Sequence, residues 1–231
     1  MNNKVPIIII SYNRLSYLKD LVEYFLNINE KDIYILDNNS KYPPLHKWFV
    51  EIQKNSCVKV IKSNINQGHR IYWNIAFYKN ISDCKYCIIT DHDILPYRKF
   101  ENGWKEKWID MLEKYNVEKV GSAISIDDIP DTYTFKNHVI NHEKNFWQPE
   151  HEIEKNCFNN QIDTTLYLQR IHTSHTYFRS IRMADYLIKH RPWYIDTNNL
   201  SEEDIYYYNN IAERSTSWSW RLQDFTRKVN K

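Results

Sequence analysis

Four short apolar runs constrain this chain more than any other feature of its sequence. They occupy residues 5–10, 33–36, 58–61 and 86–90, and each is followed by polar side chains. Runs this short and this rich in Ile and Val read as strands: 5–10, 33–36 and 86–90 as buried ones, and 58–61, which contains Lys59, as a shorter third. Helical spacing fills the gaps between them. Leu15, Leu18, Leu21, Val22, Phe25 and Leu26 recur at that period after the turn Ser11-Tyr12-Asn13-Arg14, where Asn13 is placed to cap a helix. Pro43-Pro44 opens a second helix whose apolar face is Leu45, Trp48, Phe49 and Ile52. A third is expected from about Arg70 to Lys79, with Ile71 and Ile75 inward. Strand-helix alternation of this kind predicts an α/β fold: a mostly parallel central sheet with right-handed crossovers, flanked by helices.

The second half is less regular. Trp104, Trp108, Ile109, Met111, Leu112 and Tyr115 fit an amphipathic helix. Residues 120–126 read as a strand ending at Asp127-Asp128, and residues 132–160 carry no assignable period. Residues 161–168 read as a polar turn leading into a strand or short helix, and residues 183–188 lead to His190-Arg191-Pro192-Trp193-Tyr194. Ser201, with Asp204 three residues on, marks a helix start. The last stretch, 215–231, is basic and contains Trp218 and Trp220; a helix packed on the domain is expected there, and a peripheral membrane contact is the alternative. The length of 231 residues suits one domain, 1–231, with halves 1–100 and 101–231.

Charge narrows the partners. The signs nearly cancel, to a net +2, so no global field points to nucleic acid. Aromatics reach 15%, a surplus that suits binding of polar rings such as sugars or bases, or simply packing. Cys84-x-x-Cys87 has no second pair at zinc spacing, and Cys87 falls inside an apolar run. Cys57, Cys84, Cys87 and Cys157 are therefore expected as buried free thiols in a reducing compartment. The first apolar stretch is too short for a leader or a membrane span, so a cytoplasmic protein is expected.

In a parallel sheet, ligands sit beyond the carboxyl ends of the strands. Three of those ends carry suitable side chains: Ser11-Tyr12-Asn13-Arg14, Asp37-Asn38-Asn39-Ser40 and Asp91-His92-Asp93. The first turn has no glycine, so a dinucleotide fingerprint is missing, and no phosphate-cradling G-x-x-x-x-G-K-[ST] occurs. A divalent cation on the Asp91 and Asp93 carboxylates is the remaining means of holding a diphosphate, because hard cations take oxygen ligands. By itself the triplet reads better as a strand followed by a solvated acidic turn, because D-x-D occurs often by chance.

Residues 7–14, then Leu36-Asp37-Asn38-Asn39-Ser40, Asn66-Gln67-Gly68 and Thr90-Asp91-His92-Asp93, resemble in order and spacing the nucleotide-binding half of GT-A glycosyltransferases of the family 2 type. Residues 121–130, Ile162-Asp163-Thr164-Thr165 and 190–194 extend the resemblance over nearly the whole chain, to small bacterial and viral members. It implies a nucleotide-binding half (1–100), an acceptor-binding half (101–231), a nucleotide-sugar donor, UDP-linked for preference, and a hydroxyl acceptor such as a glycan. Asp93 is then the main metal ligand, with Asp91 beside it, His92 as a spacer and His190 as a distant third ligand; His172 and His175 are its rivals. A nitrogen ligand favours Mn²⁺ over Mg²⁺. Asp163 is the implied acceptor base, and inversion follows; Glu203 or Glu202 is the alternative. Asp37, Ser11, Tyr12, Arg14, Asn66, Arg70 and Asp91 are implied donor contacts, and Asp127, Asp128 and Trp193 acceptor contacts. Two other functions compete. A nucleotidyltransferase would show a glycine-rich basic loop after the first strand, which is missing here. A silent nucleotide- or carbohydrate-binding module would need neither metal pair nor base.

Overall fold

The computed structural model describes residues 4–73, 77, 79–163, 165–171 and 179–211. The runs that opened the sequence form β1 (Ile7–Ser11), β2 (Ile33–Asp37), β3 (Val58–Lys62) and β4 (Tyr86–Asp91). They lie parallel in the order β3-β2-β1-β4. Because successive side chains on a strand point to opposite faces, each run feeds two cores. Ile7 and Ile9 of β1, Ile33 and Ile35 of β2 and Ile88 of β4 join one core, under the helices α1 (Ser16–Asn27), α2 (Pro43–Ile52) and α3 (Trp104–Lys114). Ile8, Ile10, Tyr34, Leu36 and Ile89 join the other, beneath Ile71, Tyr72, Phe77 and Ile162. Each isoleucine buried this way contributes roughly 1.5–3 kcal/mol relative to an exposed one. The four consecutive isoleucines Ile7–Ile10 therefore commit β1 to the middle of the sheet.

The second half adds β5 (Ile94–Pro96), β6 (Lys119–Ile124), α4 (Lys136–Glu143), the small hairpin β7 (Glu152–Glu154) and β8 (Cys157–Asn159), β9 (Leu166–Arg170), β10 (Ser180–His190) and α5 (Glu202–Asn210). The full order is β3-β2-β1-β4-β9-β6-β10-β8-β7, with β5 paired to the end of β10. The expected parallel core is there in β3-β2-β1-β4 and again in β6-β10. Between the two blocks β9 runs antiparallel to both β4 and β6. The stretch without sequence period holds α4 and the β7–β8 hairpin.

Local signals hold where they are self-contained. Pro43 and Pro44 open α2, and Ser201 and Asp204 form a reciprocal capping box on α5. The expectation that Asn13 caps α1 is corrected. Helix α1 starts after Leu15, which offers no side-chain cap of its own, and Asn13 sits at φ 50°. Its Oδ1 accepts from the amides of Lys41 (2.6 Å) and Tyr42 (3.2 Å), so it ties the β1 turn to the β2 turn. The helix expected from Arg70 is a 3₁₀ turn, Gly68–Trp73, in its described part; Ile75 lies outside the described residues, as do Thr164, His172, His175 and the basic 215–231 stretch. All four cysteines are free; Cys87 and Cys157 are buried as expected, whereas Cys57 and Cys84 are only partly so. Among the described residues no helix is long and apolar enough to cross a membrane.

Gly121 of β6 shows how closely β9 is inserted. A Cβ there would meet the carbonyl oxygen of Leu166 and lie 2.7 Å from the Cβ of Tyr167. Both obstacles belong to the neighbouring strand and cannot swing away. Gly121→Ala is expected to destabilise the fold by about 1–3 kcal/mol, read as a lower denaturant midpoint at unchanged slope. An unchanged midpoint would mean that β6 and β9 are less tightly apposed than described.

Candidate active site

The carboxyl ends of β1, β2 and β4 lie side by side. Ser11 is in register with Asp37, and Ile10 with Asp91. Ser11 and Asp37 are 0% and 1% exposed, yet the hydroxyl of Ser11 and Oδ1 of Asp37 have no hydrogen-bond partner. Asp37 uses only Oδ2, which accepts from the Ser40 amide at 3.3 Å. Burial holds its carboxyl above the ordinary range, against the pull of Ser40, His46 and Lys62. Buried polar atoms are ordinarily paired, so two adjacent orphans at a strand end fit a ligand that supplies the missing partners. Asn38, next in sequence, ties the neighbouring loop down: its side chain donates to the Gly68 carbonyl (2.9 Å) and accepts from the Gln67 amide (3.0 Å). Asn66 accepts from the Gly68 amide at 2.8 Å, and Asn66 and Arg70 are exposed on that rim.

Beyond β4 the chain turns directly into β5, which pairs with the end of β10. Ile94 is in register with His190, and the Arg191 amide donates to the Asp93 carbonyl at 2.8 Å. This pairing brings His190 to Asp93 across nearly a hundred residues. Nε2 of His190 is 3.7 Å from Oδ2 of Asp93. Oδ1 of Asp93 and Nδ1 of His190 are buried and unpartnered. Trp193 packs on the imidazole with ring centroids 4.8 Å apart. Burial lowers the His190 pKa, while Asp93 and then Asp163 push it back up. The net lowering leaves the ring neutral at pH 7, the state a metal ligand needs. Among the described residues no three His, Cys, Asp or Glu side chains are arranged as a complete cage for an ion. An oxygen and a nitrogen donor held 3.7 Å apart, beyond hydrogen-bond distance of each other, fit an ion that would complete its shell with substrate and water oxygens. His92 is more than a spacer. It is 5% exposed, burial keeps it neutral, and its Nδ1 is 3.0 Å from the Ile10 carbonyl, which ties β4 to β1.

Asp163 is exposed on the segment that crosses the second core just before β9. Its charge is felt by His190, His69 and Lys119. Neither His69 nor Lys119 is marked by sequence spacing. The one available signal for Lys119 is that a lysine opens an otherwise apolar strand.

Other expected contacts are placed elsewhere. Arg14 is 1% exposed, pairs with Asp204 at 2.8 Å, and lies against the rings of Tyr17, Tyr207 and Tyr208. It joins α5 to the β1 turn, while its Nε and its second terminal nitrogen are buried without a partner. The hydroxyl of Tyr12 donates to the Asn210 carbonyl at 2.9 Å, part of the same joint. Glu203 accepts from the amides of Leu15 and Ser16 and from the Ser16 hydroxyl, which makes it the cap of α1. Glu202 is exposed. Trp193 is 2% exposed and packs against the His190 ring. Asp128 accepts from Lys189 (2.7 Å) and from the Tyr194 hydroxyl (2.6 Å), whereas Asp127 is exposed.

Comparison with curated protein sequences gives no match. Among solved structures, GalNAc-T7 with UDP, GalNAc and Mn²⁺ superposes with TM-score 0.52 at 10% identity, over 98% of this chain and 55% of that one. The chain thus spans about half the length of that protein. The mannosyltransferase PcManGT from Pyrobaculum calidifontis, in complex with GDP-Man and Mn²⁺, gives 0.46 at 11% identity over 97% of this chain and 73% of that one. HddC from Yersinia pseudotuberculosis, complexed with GMP-PN, gives 0.47 at 13% identity over 88% and 97%. These likenesses concern the fold. The glycosyl transferase family 2 profile matches residues 7–183, from the first residue of β1 into β10 and across all three strand ends described above. A GT-A fold with that profile over most of its length makes this chain a member of glycosyl transferase family 2.

Proposed function

We propose that the chain is a metal-dependent transferase that moves a sugar from a nucleotide-sugar donor, UDP-linked for preference, to a hydroxyl of a glycan or other acceptor, with inversion. The observation that carries this reading is the Asp93–His190 pair. Two distant segments converge at 3.7 Å with one buried, unpartnered atom each, on the edge where Ser11 and Asp37 also have orphaned atoms. Asp93 and His190 would hold a divalent ion, with Asp91 joining directly or through water, and the nitrogen ligand favours Mn²⁺ over Mg²⁺. A bound ion supplies charge neutralisation for the departing diphosphate. The UDP, GalNAc and Mn²⁺ in the GalNAc-T7 structure agree with that choice of donor and metal.

The chain's own residues supply the rest. Asp37 and Ser11 receive the ribose or base, and the rim residues Asn66 and Arg70 close that end. Asp163 accepts the proton of the attacking hydroxyl through its carboxylate. One displacement with the base opposite the leaving group inverts the anomeric centre. Asp127 is open to acceptor hydroxyls, while Asp128 is held by Lys189 and Tyr194.

A thermal-shift panel tests the proposal. UDP-glucose, UDP-galactose, UDP-N-acetylglucosamine and GDP-mannose are compared with and without Mn²⁺. A ligand at a hundred times its Kd stabilises by about 2.7 kcal/mol. For a chain of this size that is a rise of roughly 5–10 °C in Tm. We expect such a rise with one donor, in Mn²⁺ only. A flat panel in both conditions would sink the reading.

A further inference from the structure

Lys119 opens β6 and is 1% exposed. An ammonium at such a depth is unfavourable unless its charge and protons are met. Nζ donates to the Ile162 carbonyl at 3.3 Å and lies 4.4 Å from the centre of the Tyr167 ring. The carboxylates of Asp163 and Glu118 attract it, and its charge is felt by His69 of the 3₁₀ turn. The adjoining residues are held too. The Asn160 amide donates to the Ser180 carbonyl at 3.0 Å, and Nε of Arg182 donates to the Gln161 carbonyl at 2.7 Å. Three consecutive residues, 160–162, are thus tied to β6 and β10, and the next residue is Asp163. Of these ties, the one through Lys119 also brings a charge that acts on the Asp163 carboxylate.

We propose that Lys119 is a positioning residue for the acceptor base: its ammonium fixes the 160–163 segment from β6 and draws the Asp163 carboxylate to one place beside His190. The inference rests on the reading of Asp163 as that base. Burial brings Lys119 down to about 8, with Asp163 and Glu118 opposing the fall, so the side chain is still mostly charged at pH 7. Placement of a reacting group matters steeply, since an error of about 1 Å can cost on the order of a hundredfold in rate.

The test uses Lys119→Met, Lys119→Gln and Lys119→Arg, with Asp163→Asn as reference, in Mn²⁺ and the donor that gives the largest thermal shift. Release of the nucleoside diphosphate is the turnover readout. We expect K119M and K119Q to lose about 10- to 100-fold in kcat, to hold KM for the donor within about twofold, and to keep or raise Tm, because an apolar or neutral side chain replaces a buried charge. K119R restores most of the kcat. Hydrogen exchange gives a readout without substrate: the amides of 160–163 exchange faster in K119M while β4 and β6 stay protected. Wild-type kcat in K119M and K119Q beside an inactive D163N overturns the inference alone. Wild-type turnover in D163N overturns the reading of the base. Loss of Tm, donor affinity and kcat together in both K119M and K119Q assigns Lys119 a purely structural role and also overturns the inference.

Discussion

Asp93→Ala is expected to abolish sugar transfer and to remove the Mn²⁺-dependent donor shift, with the unliganded fold intact. The carboxylate is mostly buried and one of its oxygens has no partner, so the fold gains little from it. Deleting it relieves an unmet acceptor and leaves a neutral His190 behind. Tm without ligand should therefore stay level or rise slightly. The functional loss should be large. A metal that neutralises a leaving diphosphate supplies several kcal/mol of transition-state stabilisation, and each 1.36 kcal/mol is tenfold, so turnover should fall by about three orders of magnitude. Asp91→Ala should fall less, because it is Asp93 that His190 approaches. The pH dependence has a definite sign. His190 has a lowered pKa in the folded state, so the unfolded chain takes up its proton first as pH falls through 6.5. Its contribution to stability is level above that value and declines below it, and Mn²⁺ affinity should persist to lower pH than an ordinary exposed histidine allows. Retention of the Mn²⁺-dependent donor shift in D93A, measured by melting, would place the metal elsewhere.

Legibility of the fold followed the range of the interaction that fixes each part. Strands β1, β2 and β4 are readable because burial on both faces keeps polar residues to the carboxyl end of each run. The Ser201 capping box and the Pro43-Pro44 helix start are readable because every participant lies within four residues. Asn13 looks like a cap by the same local logic, but its partners are Lys41 and Tyr42, brought near by the pairing of β1 with β2. Arg14 and Glu203 are more distant cases. Arg14 meets Asp204 and Glu203 meets Leu15 and Ser16 across nearly 190 positions. A basic residue at a strand end and an acidic residue at a helix start each look available until the other is in place. Strand direction is also unmarked, since an apolar period carries no sign. That is why β9 could be expected as an element but not as an antiparallel insertion.

The candidate site divides along the same line. The edge formed by Ser11, Asp37 and Asp91–Asp93 is local to strands of the first half, and the sequence marks it as polar residues after apolar runs. His190 depends on β5 pairing with β10, which no spacing encodes; its place came from resemblance alone. Lys119 and His69 become neighbours of Asp163 only when the 160–163 segment crosses the sheet.

Asp163→Asn is expected to leave donor binding intact and to remove most of the turnover. The substitution is nearly isosteric, and Asp163 is exposed, so stability should change by less than about 0.5 kcal/mol. An amide cannot take the acceptor proton, and general-base catalysis is worth about 10²–10⁴-fold. The expected pattern is therefore a kcat lowered by two to four orders of magnitude, on the order of that same contribution, with KM for the donor and the Mn²⁺-dependent thermal shift at wild-type values. The rival carboxylate, Glu203, predicts a different pattern. It caps α1 at Leu15 and Ser16, so Glu203→Gln should lower Tm through a weakened cap, on the order of 1 kcal/mol. If Glu203 is only a cap, turnover per folded molecule is unaffected in that variant. Comparing kcat in D163N and E203Q, each corrected for its folded fraction, separates the two. Full kcat in D163N with a collapse in E203Q would move the base from the segment before β9 to the start of α5.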